Sequence, residues 1–187
     1  MAQALDNFIN DGDGVLGISV NVSTAEDVTS QFGAPPKMIK HHEYSNEMKY
    51  AKLGLSFYYC QNDPNRHIFV INIKKPFEGT TSRGVVIGRS SFEEVKSLYG
   101  DPRDPDDEND STTGVTNTAA TTKTDPPSSN SADELEFDKY GIQFYLDQKS
   151  KGSAERSSTP TWIVREIDIY KRGGITQCNS EYPKLVQ

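Results

Sequence analysis

Gly17-Ile18-Ser19-Val20-Asn21-Val22-Ser23, followed by Glu26, Val28, Phe32, Gly33 and Pro35, decides the reading of this chain because it occurs twice. It returns as Gly84-Val85-Val86-Ile87-Gly88-Arg89-Ser90 with Glu93, Val95, Tyr99, Gly100 and Pro102, at a constant offset of 67 positions. Working outward, Met48-Lys49-Tyr50-Ala51-Lys52-Leu53-Gly54-Leu55-Ser56-Phe57-Tyr58-Tyr59 aligns with Leu135-Glu136-Phe137-Asp138-Lys139-Tyr140-Gly141-Ile142-Gln143-Phe144-Tyr145-Leu146, and Ile71-Asn72-Ile73 with Ile167-Asp168-Ile169. Three matched blocks in one order predict an internal duplication. The expected repeats are 14–79 and 80–172, with a lead-in over 1–13 and a tail over 173–187.

Each block has a local reading. The alternation of Ile18, Val20 and Val22 against Ser19 and Asn21 has the period of a half-buried strand. Ser23 with Glu26, and Ser90 with Glu93, read as capping boxes that start a helix. Val28 and Phe32, like Val95 and Tyr99, share one helical face. Gly33 and Gly100 end the helices in a left-handed residue, and Pro35 and Pro102 keep them from resuming. Leu53-Gly54 and Tyr140-Gly141 read as tight turns between strands. Beyond them Leu55, Phe57 and Tyr59, with Ile142, Phe144 and Leu146, are the expected buried positions, as are Ile71, Ile73, Ile167 and Ile169. Each half is therefore strand, helix, then three strands: an α+β fold whose antiparallel sheet carries its helices on one face and leaves the other uncovered.

Composition sets limits on the rest. The chain has 187 residues, 34% of them hydrophobic, and a net charge of −7. No Lys/Arg cluster is interleaved with aromatics, so nucleic acid is not the expected partner. The apolar runs are too short to span a bilayer, and the N-terminus lacks the basic start and apolar run of a signal peptide. The expected location is cytoplasmic for a full-length chain and extracytoplasmic if a signal has been removed. Between Pro102 and Leu135 the second half holds 32 residues where the first holds 12 between Pro35 and Met48. That segment, 103–133, is acidic and rich in Ser, Thr and Pro, and it is expected to be disordered. A second polar stretch, Lys149 to Pro160, is expected to lengthen a hairpin. Cys60 and Cys178 are not related by the duplication; at most one bridge is possible, and two inert thiols are the expected state.

Chemistry-bearing patterns are sparse. Asp11-Gly12-Asp13-Gly14 fails as a calcium loop because Val15 stands at a ligand position and no glutamate follows at the required spacing. Gly84 to Gly88 lacks the full glycine pattern and the Lys of a phosphate loop. Gly17-Ile18-Ser19-Val20 is only superficially the carboxylate-binding loop of PDZ domains, since the second copy does not preserve it. His41, His42, His67 and Cys60 lack the spacing that preorganises a metal site. The basic patch Lys37, Lys40, His41 and His42 reads as a solvated loop. Neither a cofactor nor a metal is expected. The uncovered sheet face remains, bearing Tyr58, Tyr145 and Tyr170 beside Asn72, Lys74, Glu166 and Asp168, and tyrosines among mixed polar groups suit a protein interface.

The glycine, the Ser-capped helix ending in Gly-x-Pro and the three following strands resemble the repeat unit of β-lactamase inhibitor protein-like domains. The small lipoproteins of outer-membrane β-barrel assembly look similar. The resemblance is carried by Gly17 to Pro35 and Gly84 to Pro102, and it implies a tandem repeat that grips a protein partner with its outward sheet positions. The chain departs from that family in lacking matched cysteines and in its long polar insertion. The resulting expectation is a non-enzymatic binding or inhibitor-like module. The alternative is an enzyme or small-molecule binder with a cleft between the halves.

Overall fold

The computed structural model describes residues 7–41, 44–102, 134–149, 161–174 and 178. The expected disorder of 103–133 and the hairpin extension over 150–160 lie outside the described residues, as does most of the tail. In chain order the elements are β1 (Phe8–Asn10), β2 (Gly14–Val15), β3 (Ile18–Ser19), α1 (Ala25–Phe32), β4 (Lys37–Lys40), β5 (Ser45–Tyr50), β6 (Leu55–Cys60), β7 (Ile68–Lys74), β8 (Thr80–Thr81), α2 (Phe92–Tyr99), β9 (Glu134–Phe137), β10 (Ile142–Lys149) and β11 (Thr161–Tyr170). The fold is α+β and consists mostly of strands. Seven of them form an antiparallel sheet in the order β4-β5-β6-β7-β11-β10-β9, and four short ones form a second sheet, β3-β2-β1-β8. No helix among the described residues is long and apolar enough to cross a membrane.

One face of the large sheet carries the core. Phe57, Phe144, Ile71, Ile73, Ile142, Ile167 and Ile169 are fully buried there, as alternation of period two requires. Both helices cover this face. From α1, Phe32 stacks on Phe57 with ring centroids 5.7 Å apart, and from α2, Tyr99 meets Phe144 edge-on at 5.0 Å. Ile9, Val15 and Ile18 of the small sheet join the same cluster.

The helix starts fall one residue later than the sequence predicts. Thr24 and Ser91 are the N-caps, each closing a capping box with Asp27 and Glu94 rather than with Glu26 and Glu93. Ser23 and Ser90 are otherwise engaged, because their hydroxyls accept from the backbone N–H of Ser19 (3.0 Å) and Val86 (3.1 Å). Their backbones also pair with the sheet, Ser23 with Ile68 and Ser90 with Val164. A residue tied on both sides to the preceding turn cannot also turn its hydroxyl onto the helix. At the other end Gly33 and Gly100 combine φ of 80° and 94° with extended ψ, so each ends its helix in a region that only glycine enters freely, not in the left-handed helical conformation.

Three further expectations are corrected. The strand read over Gly17 to Val22 is only Ile18–Ser19, because Leu16 and Asn21 take positive φ and turn the chain, leaving Val22 72% exposed. The lead-in contains a strand, β1, where Ile9 is buried between β2 and β8. The basic patch read as a loop begins with β4, which pairs with β5 from Lys37↔Lys49 to Lys40↔Asn46.

The backbone geometry of α1 and its surroundings recurs at α2. Asn21 N–H donates to Ile68 O as Gly88 N–H donates to Val164 O, and isolated bridges join Thr24 to His67 and Ser91 to Ile163. In mid-sheet β7 and β11 pair with Ile71 opposite Ile169 and Ile73 opposite Ile167.

Candidate functional site

The second face of the large sheet is built by the residues that alternate with the core. Strand register arranges them in rows. One row runs across all seven strands as Lys37, Lys49, Ser56, Asn72, Asp168, Gln143 and Glu136. A neighbouring row carries Lys74, Glu166, Tyr145 and Glu134, and the row on the other side carries Ile39, Glu47, Tyr58, Val70 and Tyr170.

At the centre Asn72 is buried and its amide donates to carboxylates on both sides, to Glu166 Oε1 and to Asp168 Oδ1 (2.6 Å). Tyr145 donates its hydroxyl to Asp168 Oδ2 at 3.0 Å, and Lys74 Nζ lies 3.7 Å from Glu166 Oε2. Burial raises the Asp168 carboxyl to about 6 against the opposing bonds from Asn72 and Tyr145, with the Glu166 charge adding to the rise. Burial and the surrounding carboxylates push the Tyr58 and Tyr145 hydroxyls well above their ordinary value, so both are neutral donors.

A second network flanks the first. Buried Glu47 accepts from Ser56 Oγ (2.8 Å), with His41 Nε2 at 3.1 Å and Lys49 Nζ at 3.5 Å. Burial works to raise the Glu47 carboxyl, but these three partners together hold it below its ordinary value. On β9 burial and the neighbouring charges of Asp138 and Glu134 raise the Glu136 carboxyl.

The structure thus joins Tyr145, Asn72, Lys74, Glu166 and Asp168 in one network and sets Tyr58, half-buried, beside it. It removes Tyr170 from the open surface. That side chain is fully buried, and its hydroxyl donates to Asp138 Oδ1 at 3.0 Å. Alternation assigned it to the correct face but said nothing about what lies over that end of the face.

The expectation of two inert thiols is overturned by the bond that joins Cys60 to Cys178. Cys60 follows Tyr58 on this same face, so the bridge joins Cys178 to the end of β6. Sequence reasoning missed Glu47, Lys49, Glu134 and Glu136; their signal was the alternation around the buried Met48 and Leu135.

Chemically the centre is a hydrogen-bonded mixture of carboxylate, amide and phenol with its donors and acceptors already engaged. His41 is bonded to Glu47 and His67 to Asp63, and among the described residues no group of His, Cys, Asp and Glu is placed to hold a metal. Two clefts lie away from this face. One, of about 400 Å³, is bounded by Asn7, Phe8, Lys75, Glu78, Thr80 and Arg89, where the segment between β7 and β8 passes β1. The other lies against α1, between Gly17 and Gln31.

No protein-family model matches this chain, and no curated protein matches it. Among solved structures it is similar to a DUF4309 family protein (YjgB) from Bacillus subtilis, with 13% identity, 86% of this chain and 88% of that chain covered, and a TM-score of 0.40.

Proposed function

We propose that this chain is a non-enzymatic interaction module, made of two copies of one strand–helix–strand unit, that docks a protein on its polar sheet face. The observation that carries the reading is the pair Tyr58 and Tyr145. Both are half-buried beside a fixed carboxylate–amide network, while Lys37, Glu134 and Glu136 stand exposed at the rim. Aromatic groups held rigid at the centre of a charged rim lose little side-chain entropy on docking and supply most of the contact area. The duplication is supported by the hydrogen bonds that recur around α1 and α2. The resemblance to β-lactamase inhibitor protein-like domains points to the same use of the face. The Cys60–Cys178 bridge supports an oxidising compartment for the working protein.

Site-specific crosslinking through a photoreactive group at exposed Glu136 tests the reading in the native source, with an equivalent probe at exposed Leu98 on α2 as the control. A defined protein joined through 136 but not 98, and lost in a folded Tyr58→Ala/Tyr145→Ala variant, is the expected result. Equal crosslinking with or without the two tyrosines removes the face from the function.

The cleft at the connection favours a second reading, a small-molecule binder. There Lys75 and Arg89 stand beside the half-exposed ring of Phe8 and suit a small anion with an apolar group. Binding that survives Tyr58→Ala/Tyr145→Ala and is lost in Arg89→Ala is what this reading expects.

A further inference from the structure

We propose that the partner of the polar face is a second copy of this chain, joined by a two-fold axis that lies in the contact plane and runs along the strands. This rests on the interaction reading above and names its occupant.

The argument comes from the row that crosses the whole sheet. Its β4 and β5 end carries Lys37 and Lys49, its β9 end carries Glu136, and the residues between are Ser56, Asn72, Asp168 and Gln143. Lys37 and Glu136 are both exposed, and among the described residues neither has an ion-pair partner. Six inter-strand spacings of about 4.8 Å put them about 29 Å apart. That is several times the Debye length of about 8 Å at physiological salt, so they cannot neutralise each other within one molecule. Glu136 is instead crowded by Glu134 and Asp138.

Rotation about an axis parallel to the strands reverses the row end to end at the same level. Lys37 then faces the partner's Glu136 twice over, Lys49 faces the partner's Gln143, Ser56 faces the partner's Asp168, and Asn72 meets Asn72. No like charges oppose each other along the row, and in the flanking row Lys74 of the central strand falls opposite the partner's Lys74, each held at 3.7 Å by its own Glu166. An in-plane axis across the strands would instead set Lys37 over Lys37 and Glu136 over Glu136, so the charges select one of two symmetric solutions as well as favouring contact. The middle of the row is already buried within one chain, with Ser56, Asn72 and Gln143 each under 10% exposed, so the contact falls on the charged ends of the row and on the half-buried Tyr58 and Tyr145 of the flanking rows. The Cys60–Cys178 bridge lies beyond the Tyr58 row, at the end of β6.

Sedimentation velocity of the full disulfide-bonded chain, over a range of concentration at low and high salt, reads the association directly. A dimer that weakens with salt is expected. Lys37→Glu and Glu136→Lys, each confirmed as folded by circular dichroism, should each weaken it about tenfold or more. The Lys37→Glu/Glu136→Lys chain should dimerise again, and an equimolar mixture of the two single variants should form a heterodimer. A chain monomeric at every concentration, or a dimer that neither reversal disturbs, overturns the inference. If the chain is monomeric yet a different protein crosslinks in a Tyr58- and Tyr145-dependent way, this inference falls and the interaction module stands. If no protein contact of either kind depends on the face, both fall.

Discussion

Asp168 is the residue whose environment departs most from what its position in the sequence announces. Its carboxyl has a folded-state value near 6 against an ordinary 3.8, so the folded chain holds a proton there more tightly than the unfolded chain does. The stabilising contribution is fully present below about pH 4 and is lost as pH rises through 6, the reverse of an ion-paired carboxylate. Asp168→Asn removes that titration. Chemical denaturation at several pH values should show the variant improving relative to the parent between pH 4 and 7, by at most about 3 kcal/mol. A constant difference across that range would mean that the site does not take up the proton. The core is simpler. Phe57 and Phe144 are fully buried, and Phe57→Ala or Phe144→Ala should each cost about 3 to 5 kcal/mol in urea denaturation. Those two positions were legible because alternation alone decides which face a strand residue occupies. Tyr170 was not, because alternation does not say whether the other face stays open.

At the scale of elements the caps and turns separate what pattern can locate from what only geometry can. A Ser/Thr followed three residues later by an acid marks each helix start, but Ser23-Thr24 and Ser90-Ser91 offer two registers, Ser23 with Glu26 or Thr24 with Asp27, and likewise Ser90 with Glu93 or Ser91 with Glu94. The choice belongs to the sheet, which binds Ser23 and Ser90 through Ile68 and Val164. Thr24→Ala and Ser91→Ala should therefore each lower stability by about 1 kcal/mol with loss of the first helical turn, seen as faster amide exchange at Asp27 and Glu94. Exchange unchanged at those two amides would argue against the assigned caps. The turn at Gly141 was legible as a turn but not as a close approach. Its φ is 65°, and a Cβ there would lie 2.3 Å from the main-chain carbonyl of the buried Tyr170. Gly141→Ala should accordingly cost more than the roughly 1 kcal/mol expected of backbone strain alone, because the end of β11 must also move.

For the whole molecule the two cysteines decide what the polar face can be. The sequence shows two unrelated thiols 118 residues apart, and no spacing rule pairs them. The pairing follows only once β6 has put Cys60 on the same face as Tyr58 and the end of β11 has turned the chain toward it. Closing a loop of that length removes much unfolded-state entropy, about 4 to 5 kcal/mol on a chain-entropy account. The bridge also fixes Cys178 at the end of β6, next to the row in which Val70 and Tyr170 are buried. A Cys60→Ser/Cys178→Ser chain should remain folded, since the helices and the Phe57–Phe144 core lie on the opposite face. It should lose several kcal/mol in denaturant, and the Tyr170 hydroxyl should become accessible to solvent while Phe57 stays buried. Hydrogen exchange resolved by residue separates the two effects. Faster exchange confined to the ends of β6, β7 and β11 places the bridge as a clamp on the polar face, and uniform loss of protection would instead make it a support for the entire sheet. In the first case association through the Lys37 to Glu136 row should persist in the Cys60→Ser/Cys178→Ser chain, because Lys37 and Glu136 stand on the edge strands β4 and β9, away from the strand ends that the bridge holds.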